Sequence, residues 1–168
     1  MLYLIGLSGV GKTSIGKKFA KKINLKFVDT DELIENKYQK SIDKIFSEHG
    51  EFFFRTIESN ILKEIKHIDI VACGGGLPCY NNNMKLINCL GTSIYLKASV
   101  NEILKRLKTS LNVRPLILKK TESERKIYMK NCIKKREKFY EKADYIIDTD
   151  GLTIDQILTK IYSLPLSF

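Results

Sequence analysis

The sequence has few cysteines and histidines, no tryptophan and no long apolar run. Its cysteines are Cys73, Cys79, Cys89 and Cys132, and no two of them have the C-x-x-C spacing of a zinc site. No apolar stretch approaches the roughly 20 residues of a membrane-spanning helix, and the first residues lack the basic region of a signal peptide. We therefore expect a cytoplasmic protein with free thiols, no zinc site and no membrane partner.

The sequence has fewer acidic than basic residues, and it lacks segments typical of interdomain linkers. The chain has 29 Lys+Arg and 19 Asp+Glu among 168 residues, a formal net charge of +10, which would suit an anionic partner such as nucleic acid. The lysines are spread along the whole chain, however, as on the solvated faces of helices. No repeat or Pro/Gly/Ser-rich tract divides the sequence, and 43% of it is hydrophobic. These features predict one domain over residues 1–168.

Short apolar runs alternate with longer stretches of helical periodicity, which is typical of an α/β protein. The predicted strands are Leu2 to Ile5, Lys26 to Asp29, Ile68 to Cys73, Thr92 to Leu96 and Tyr145 to Asp148. The predicted helices are Lys12 to Lys22, Glu32 to Gln39, Ile42 to Glu48, Gly50 to Lys66, Val100 to Leu107, Ser123 to Tyr140 and Thr153 to Tyr162. Lys108 to Ser123 is polar, contains Pro115 and is predicted to be a loop. The alternation predicts a five-stranded parallel sheet between two helical layers, an α/β/α sandwich.

A glycine-rich segment at residues 6–13, GLSGVGKT, fits the P-loop pattern G-x-x-x-x-G-K-[ST] at every fixed position and lies between a predicted strand and helix. Its glycines allow a tight turn whose N–H groups face phosphate oxygens, and the helix beginning near Lys12 adds its positive end. Lys12 can reach the β- and γ-phosphates, and the Thr13 hydroxyl can ligate Mg²⁺. We expect a nucleoside triphosphate to bind at Gly9, Val10, Gly11, Lys12, Thr13 and Ser14. The motif alone does not separate kinases from ATPases or GTPases.

Two acidic residues and three glycines follow predicted strands. Asp29 and Asp31 end the second strand, where one could support Mg²⁺ and the other could orient an acceptor hydroxyl. Equally, Asp31 could simply cap the following helix. The glycines at residues 74–76 end the third strand and would let a small polar ligand approach the backbone.

An arginine lies among apolar residues in the segment GEFFFRTIE at residues 50–58. Glu58 is one helical turn beyond Arg55 and could orient its guanidinium for bidentate capture of a carboxylate. Taken alone, the pair fits an ordinary surface ion pair better.

Together these motifs resemble the shikimate kinase family. The resemblance rests on the P-loop form G-x-S-G-x-G-K-T, the D-T-D strand end, S-I-x-x-I-F-x-x-x-G-E-x-x-F-R-x-x-E at residues 41–58, the three glycines, and R-P-L at residues 114–116. The motifs follow in order over almost the whole chain. The resemblance implies a P-loop NTPase-type fold with a mobile lid at about residues 108–123 and an acceptor-binding region at about 31–62. It also implies transfer of the γ-phosphate of ATP to the 3-hydroxyl of shikimate, with Mg²⁺, on the route to the aromatic amino acids.

The resemblance also assigns residue roles. Lys12 and Thr13 would hold the phosphates and Mg²⁺, Asp29 would support the metal, and Asp31 would bind the shikimate hydroxyls and accept the proton. Arg55 would bind the shikimate carboxylate with Glu58 as its partner, and Gly74, Gly75 and Gly76 would line the pocket.

Three further arginines match positions of the family. Arg114 would reach from the lid toward the phosphates, Arg136 would bind the shikimate carboxylate together with Arg55, and Arg106 would stack on adenine. One departure is Lys138, which stands where the family usually has a proline, and a second is the short, proline-free segment after Thr149.

Other functions remain open at this stage. A gluconate-type or nucleoside-monophosphate-type kinase could share the scaffold, and the net charge leaves a non-catalytic nucleotide- or nucleic-acid-binding P-loop protein as a remote alternative. The paired arginines, the glycines and Asp31 favour a compact polyhydroxy carboxylate as acceptor. We expect a monomer whose partner is shikimate and which has no nucleic-acid partner.

Overall fold

The computed structural model describes residues 1–109 and 121–166 of the chain. Five parallel strands form one sheet in the order β2-β3-β1-β4-β5. The strands are β1 (Leu2–Ile5), β2 (Phe27–Asp29), β3 (Ile70–Ala72), β4 (Thr92–Lys97) and β5 (Tyr145–Asp148). The helices are α1 (Lys12–Ile23), α2 (Thr30–Tyr38), α3 (Ile42–Glu64), α4 (Asn83–Leu90), α5 (Val100–Thr109), α6 (Glu122–Tyr140) and α7 (Ile154–Tyr162), with a 3₁₀ turn at Leu77–Cys79.

Both faces of the sheet are buried, because side chains of each strand point alternately to two apolar clusters. Leu2 and Leu4 of β1 pack into a cluster with residues of α1, α5 and α7. Tyr3 and Ile5 of the same strand pack into a second cluster with residues of α2, α3 and α4. The predicted three-layer α/β/α sandwich with five parallel strands is confirmed.

The strand register brings the loops after β1, β2 and β3 to one edge of the sheet. Asp29 pairs with Ala72, and Ala72 pairs with Leu4. The P-loop, the Asp29–Asp31 segment and the three glycines therefore leave the sheet side by side at its carboxyl edge, where open α/β sheets bind ligands.

Several element boundaries differ from the sequence prediction. The two helices predicted around residue 50 form one kinked helix, α3, in which Gly50 has a non-helical φ of 77°. Helix α4 and the 3₁₀ turn before it were not predicted, because the asparagines at residues 81–83 have low helix propensity. Helix α4 is held by the buried side chains of Met84 and Ile87.

Helix α6 runs without a break through Lys138, the position that lacks the family's proline. Its start is fixed by a capping box, in which the Thr121 hydroxyl accepts from the Glu124 N–H and the Glu124 carboxylate accepts from the Thr121 N–H. Because α6 is unbroken, Arg136 and Tyr140 lie one turn apart on the same helix face, and Tyr140 is part of the second apolar cluster.

Candidate active site

The P-loop connects β1 to α1 and folds around its own lysine. The Lys12 Nζ donates hydrogen bonds to the carbonyl oxygens of Gly6 and Leu7, each at 2.9 Å, and the side chain is buried. Gly9 and Gly11 have φ values of 87° and 103°, which residues with a Cβ rarely adopt. Gly11 caps the helix that begins at Lys12, so the positive end of α1 faces the loop. Of the other expected nucleotide contacts, Val10 is buried and Ser14 is exposed.

The expected metal ligands are adjacent. The Thr13 hydroxyl donates to Asp29 Oδ2 at 2.6 Å, and Asp29 Oδ1 accepts from the Asp31 N–H at 2.9 Å. Asp29 is therefore the N-cap of α2, and the alternative that Asp31 is the capping residue is wrong. A hydroxyl and a carboxylate fit a hard cation such as Mg²⁺. Residues 1–109 and 121–166 contain no cluster of three His, Cys, Asp or Glu side chains that could hold a metal by themselves, so further ligands would be phosphate oxygens and water.

The three glycines after β3 allow close approach of three different groups. A Cβ at Gly74 would lie 2.5 Å from Asp31 Oδ1 and 3.2 Å from Glu58 Oε1. A Cβ at Gly75 would lie 3.0 Å from the Ser8 backbone nitrogen and 3.6 Å from an amino nitrogen of Arg136. A Cβ at Gly76 would overlap the Arg55 guanidinium. The run of glycines therefore allows the Asp31 carboxylate, the P-loop backbone and the Arg55 guanidinium to pack closely around one stretch of backbone.

Arg55 is held by contacts on several sides. One amino group donates to Glu58 Oε2 at 2.7 Å, while the second amino group and Nε donate to Glu51 Oε1 at 2.9 Å and 3.2 Å. The guanidinium lies over the Tyr80 ring, with Cζ 4.2 Å from the ring centroid, and the Tyr80 hydroxyl donates to Glu51 Oε1 at 3.1 Å. The alternative of an ordinary surface ion pair does not fit, because Glu58 is 2% exposed and Arg55 is 11% exposed.

The charges in this cluster influence one another. Burial raises the pKa of the Glu58 carboxyl, and the neighbouring Arg55 opposes that rise. Burial lowers the pKa of Arg55, but the Glu58 charge and the hydrogen bonds to Glu58 and Glu51 outweigh it, so the pKa is raised overall and the side chain stays cationic.

Arg136 lines the same cavity as Arg55. The cavity has a volume of about 520 Å³, and its walls come from the P-loop, α3, the third glycine and α6. The Tyr140 hydroxyl donates to the Gly75 carbonyl oxygen and lies beside Arg136, which ties α6 to the glycine run. The two arginines predicted from distant parts of the sequence therefore line one cavity next to the P-loop. Their binding of a carboxylate stays a prediction.

Arg106 binds backbone rather than lying exposed. Its guanidinium donates to the Val10 carbonyl oxygen at 2.8 Å and to both the hydroxyl and the carbonyl oxygen of Thr149, and Glu102 accepts from its Nε at 2.9 Å. Arg106 therefore joins the P-loop to the segment after β5. Its expected stacking on adenine stays a prediction.

One predicted site residue is not described by the structure, and two contacts of Arg55 were not predicted from the sequence. Arg114 and most of the predicted lid lie outside the described residues. Among the described residues, sequence reasoning missed Glu51 and Tyr80 as partners of Arg55. Glu51 could have been found, since it lies four residues before Arg55 on one helix. Tyr80 could not, because only the tertiary fold brings it to α3.

Comparison with known sequences gives one consistent result. A family model described as shikimate kinase matches residues 8–164. A shikimate kinase from Azobacteroides pseudotrichonymphae is 42% identical over 164 residues, covering 95% of this chain and 96% of the relative. A shikimate kinase from Thermodesulfovibrio yellowstonii is 44% identical over 162 residues, covering 95% and 91%.

Solved structures agree with the sequence relatives. The crystal structure of shikimate kinase from Bacteroides thetaiotaomicron matches with a TM-score of 0.90 and 32% identity, over 95% of this chain and 94% of that one. A shikimate kinase from Acinetobacter baumannii, solved in complex with shikimate, matches with a TM-score of 0.85 and 32% identity, over 96% and 89%.

Proposed function

The chain belongs to the shikimate kinase family, and we propose that it transfers the γ-phosphate of ATP to the 3-hydroxyl of shikimate, forming shikimate 3-phosphate and ADP. The observation that carries this proposal is the single cavity that contains Arg55 and Arg136 and is walled on one side by the P-loop. Two guanidinium groups suit a carboxylate, and the adjacent loop suits the phosphoryl donor.

The acceptor lies between the arginines and the glycine run. Arg55 and Arg136 bind its carboxylate, and residues 74–76 leave room for its ring because they have no side chains. Asp31, beside Gly74, accepts hydrogen bonds from the acceptor hydroxyls. Fixing the acid at one end aims a hydroxyl at the other end toward the P-loop, which raises the rate by orientation.

The transfer itself needs charge stabilisation and a proton acceptor. Lys12 exchanges its contacts with the Gly6 and Leu7 carbonyls for the β- and γ-phosphate oxygens. Asp31 takes the proton from the attacking hydroxyl. Arg114, which lies outside the described residues, neutralises charge on the transferring group, and the lid at about residues 108–123 excludes water.

The Thr13 hydroxyl and, through water, Asp29 would hold Mg²⁺; Asp29 is positioned for this by the hydrogen bond that it accepts from the Asp31 N–H. When bound, the ion neutralises negative charge on the phosphates. The nucleotide lies along residues 9–14, with Arg106 at its adenine end.

We propose that the protein is a monomer in the cytoplasm and that its partners are the substrates shikimate and ATP. The described helices include none that is long and apolar enough to span a bilayer. The lysines responsible for the net charge of +10 are scattered along the chain, so we expect no complex with DNA or RNA in a gel-shift titration at moderate salt.

A coupled assay of ADP release with a panel of acceptors tests the function. Shikimate should give turnover far above the ATPase background, whereas gluconate and nucleoside monophosphates should not. Turnover with one of those acceptors and none with shikimate would refute the assignment and leave nucleotide binding intact.

A further inference from the structure

The guanidinium that is to receive the acceptor's carboxylate already binds a carboxylate of the protein. Glu51 Oε1 accepts from Nε and from one amino group of Arg55, at 3.2 Å and 2.9 Å. This pair of donors is one of the edges at which arginine binds a carboxylate in a bidentate manner. Glu51 therefore takes a position that an incoming acid could use.

The two glutamates that contact Arg55 differ in their environment. Glu58 is 2% exposed and cannot leave without abandoning a buried charge, whereas Glu51 lines the same cavity and is 57% exposed. The hydrogen bond from Arg55 lowers the pKa of Glu51, so this side chain is a carboxylate at neutral pH. Glu58 is a permanent partner of Arg55, and Glu51 is one that solvent can replace.

Tyr80 can keep Arg55 in place when Glu51 leaves. Its ring centroid lies 4.2 Å from the guanidinium carbon, and this ring contact remains available when the hydrogen bond from the Tyr80 hydroxyl to Glu51 is lost. The neighbouring Asn81 fixes the same segment to α3, because its side-chain amide donates to the Arg55 carbonyl at 3.2 Å and to Ser59 Oγ at 2.9 Å.

We propose that Glu51 is a placeholder for the acceptor's carboxylate, which displaces it from the Nε edge of Arg55 while Tyr80 holds the guanidinium in position. This inference rests on the proposed function, since it takes the acceptor to be an acid. Exchange of one carboxylate for another keeps the charge around Arg55 constant. A neutral polyol cannot supply the replacement charge and therefore leaves Glu51 in place on Arg55.

Glu51→Gln tests the placeholder, because the amide keeps the size and one acceptor oxygen but removes the charge. Calorimetric titration should show shikimate binding roughly two- to fivefold tighter than in the wild type, the range expected for an exposed ion pair. The uncharged methyl ester of shikimate should bind both proteins alike. Glu64→Gln is the matched control, because Glu64 is an exposed residue at the far end of α3 that pairs with Lys37; it should change neither affinity.

Two results would overturn the placeholder. Weaker shikimate binding by Glu51→Gln would mean that Glu51 orients Arg55 for the substrate. A crystal structure of the wild type with shikimate in which Glu51 still contacts Arg55 Nε would exclude displacement. Wild-type turnover of shikimate is measured first, so that its absence refutes the proposed function and its presence isolates the placeholder.

Tyr80 is tested separately as a positioning residue. Tyr80→Phe keeps the ring and should leave the KM for shikimate unchanged or lower, whereas Tyr80→Leu removes the platform and should raise that KM about fivefold. The kcat at saturating shikimate should stay within about twofold in both variants, because neither touches the transferring phosphate. An equal rise in the KM for shikimate in both variants would refute the role of the Tyr80 ring in positioning Arg55.

Discussion

At the scale of single residues, burial distinguishes the carboxylates of the site. Asp29 is buried and engaged by Thr13 and by the start of α2, which suits a fixed ligand. Glu58 is buried against Arg55, and Glu51 contacts the same arginine from the exposed side. These three carboxylates, which the sequence does not distinguish, therefore differ in burial and in the groups that they contact.

Lys12→Ala should reduce kcat at least about a hundredfold, because it removes the cation that stabilises charge at the γ-phosphate. Steady-state kinetics at saturating ATP and shikimate measure the effect. Lys17→Ala is the control, since Lys17 is an exposed residue of the same helix that pairs with Glu32. Activity of Lys12→Ala within tenfold of the wild type would contradict the assigned role.

Gly76→Ala should raise the KM for shikimate about ten- to a hundredfold, because the added methyl group overlaps the Arg55 guanidinium and displaces it. The affinity for ATP should change little. Gly151→Ala is a useful control: it strains a residue with a φ of 69° that has no atom near its Cβ position, so it should lower stability without changing acceptor KM. Normal acceptor KM in Gly76→Ala would show that Arg55 does not bind the acceptor.

At the scale of elements, each wall of the site is a strand end or a helix joined to its neighbour by a few polar contacts. Helix α3 presents Glu51, Arg55 and Glu58 on one face, since they lie four and three residues apart. Helix α6 is joined to the glycine run through Tyr140, and α5 is joined to the P-loop through Arg106. These contacts fix the relative position of donor and acceptor groups.

Arg106→Ala should raise the KM for ATP and lower the melting temperature, because the Val10 and Thr149 backbone groups lose their shared partner. The loss of hydrogen bonds to a charged group corresponds to about 1.5–3 kcal/mol. Thermal melts and nucleotide titrations measure it, with Lys105→Ala as an exposed control on the same helix. An unchanged melting temperature together with unchanged ATP affinity would remove Arg106 from both roles.

At the scale of the whole molecule, strand order decides which loops meet. Because β3 lies between β1 and β2, the glycine run leaves the sheet between the P-loop and the Asp29–Asp31 segment at the carboxyl edge. The cavity between this edge, α3 and α6 then receives both arginines.

Shikimate at one hundred times its Kd should stabilise the whole protein by about 2.7 kcal/mol, which corresponds to a rise in melting temperature of roughly 5–10 °C. Differential scanning fluorimetry measures the shift. In Arg55→Ala the shift at the same shikimate concentration should largely disappear, while the shift caused by ATP should remain. Loss of both shifts would mean that the substitution damages the fold rather than the acceptor site.

The sequence by itself determined the fold class and most of the candidate site. The P-loop pattern, the apolar strands and the spacing of Arg55 and Glu58 are local, because they depend on backbone geometry and helical periodicity within a few residues. It also indicated that Asp29 ends a strand, whereas Asp31, expected at the same strand end, lies in the first turn of α2. It did not decide which of them caps α2, because either carboxylate could accept a hydrogen bond from a backbone N–H two or three residues further along the chain.

Only the tertiary structure decided which distant groups meet. The approach of Arg136 to Gly75, of Tyr80 to Arg55 and of Arg106 to Thr149 joins residues from separate elements, and no sequence period encodes such contacts. The same holds for α4, whose asparagine-rich start has weak intrinsic helix propensity and which is stabilised by burial of Met84 and Ile87. Motifs such as the P-loop depend on residues that are neighbours in the sequence, whereas burial and charge pairing depend on the packing of the whole chain.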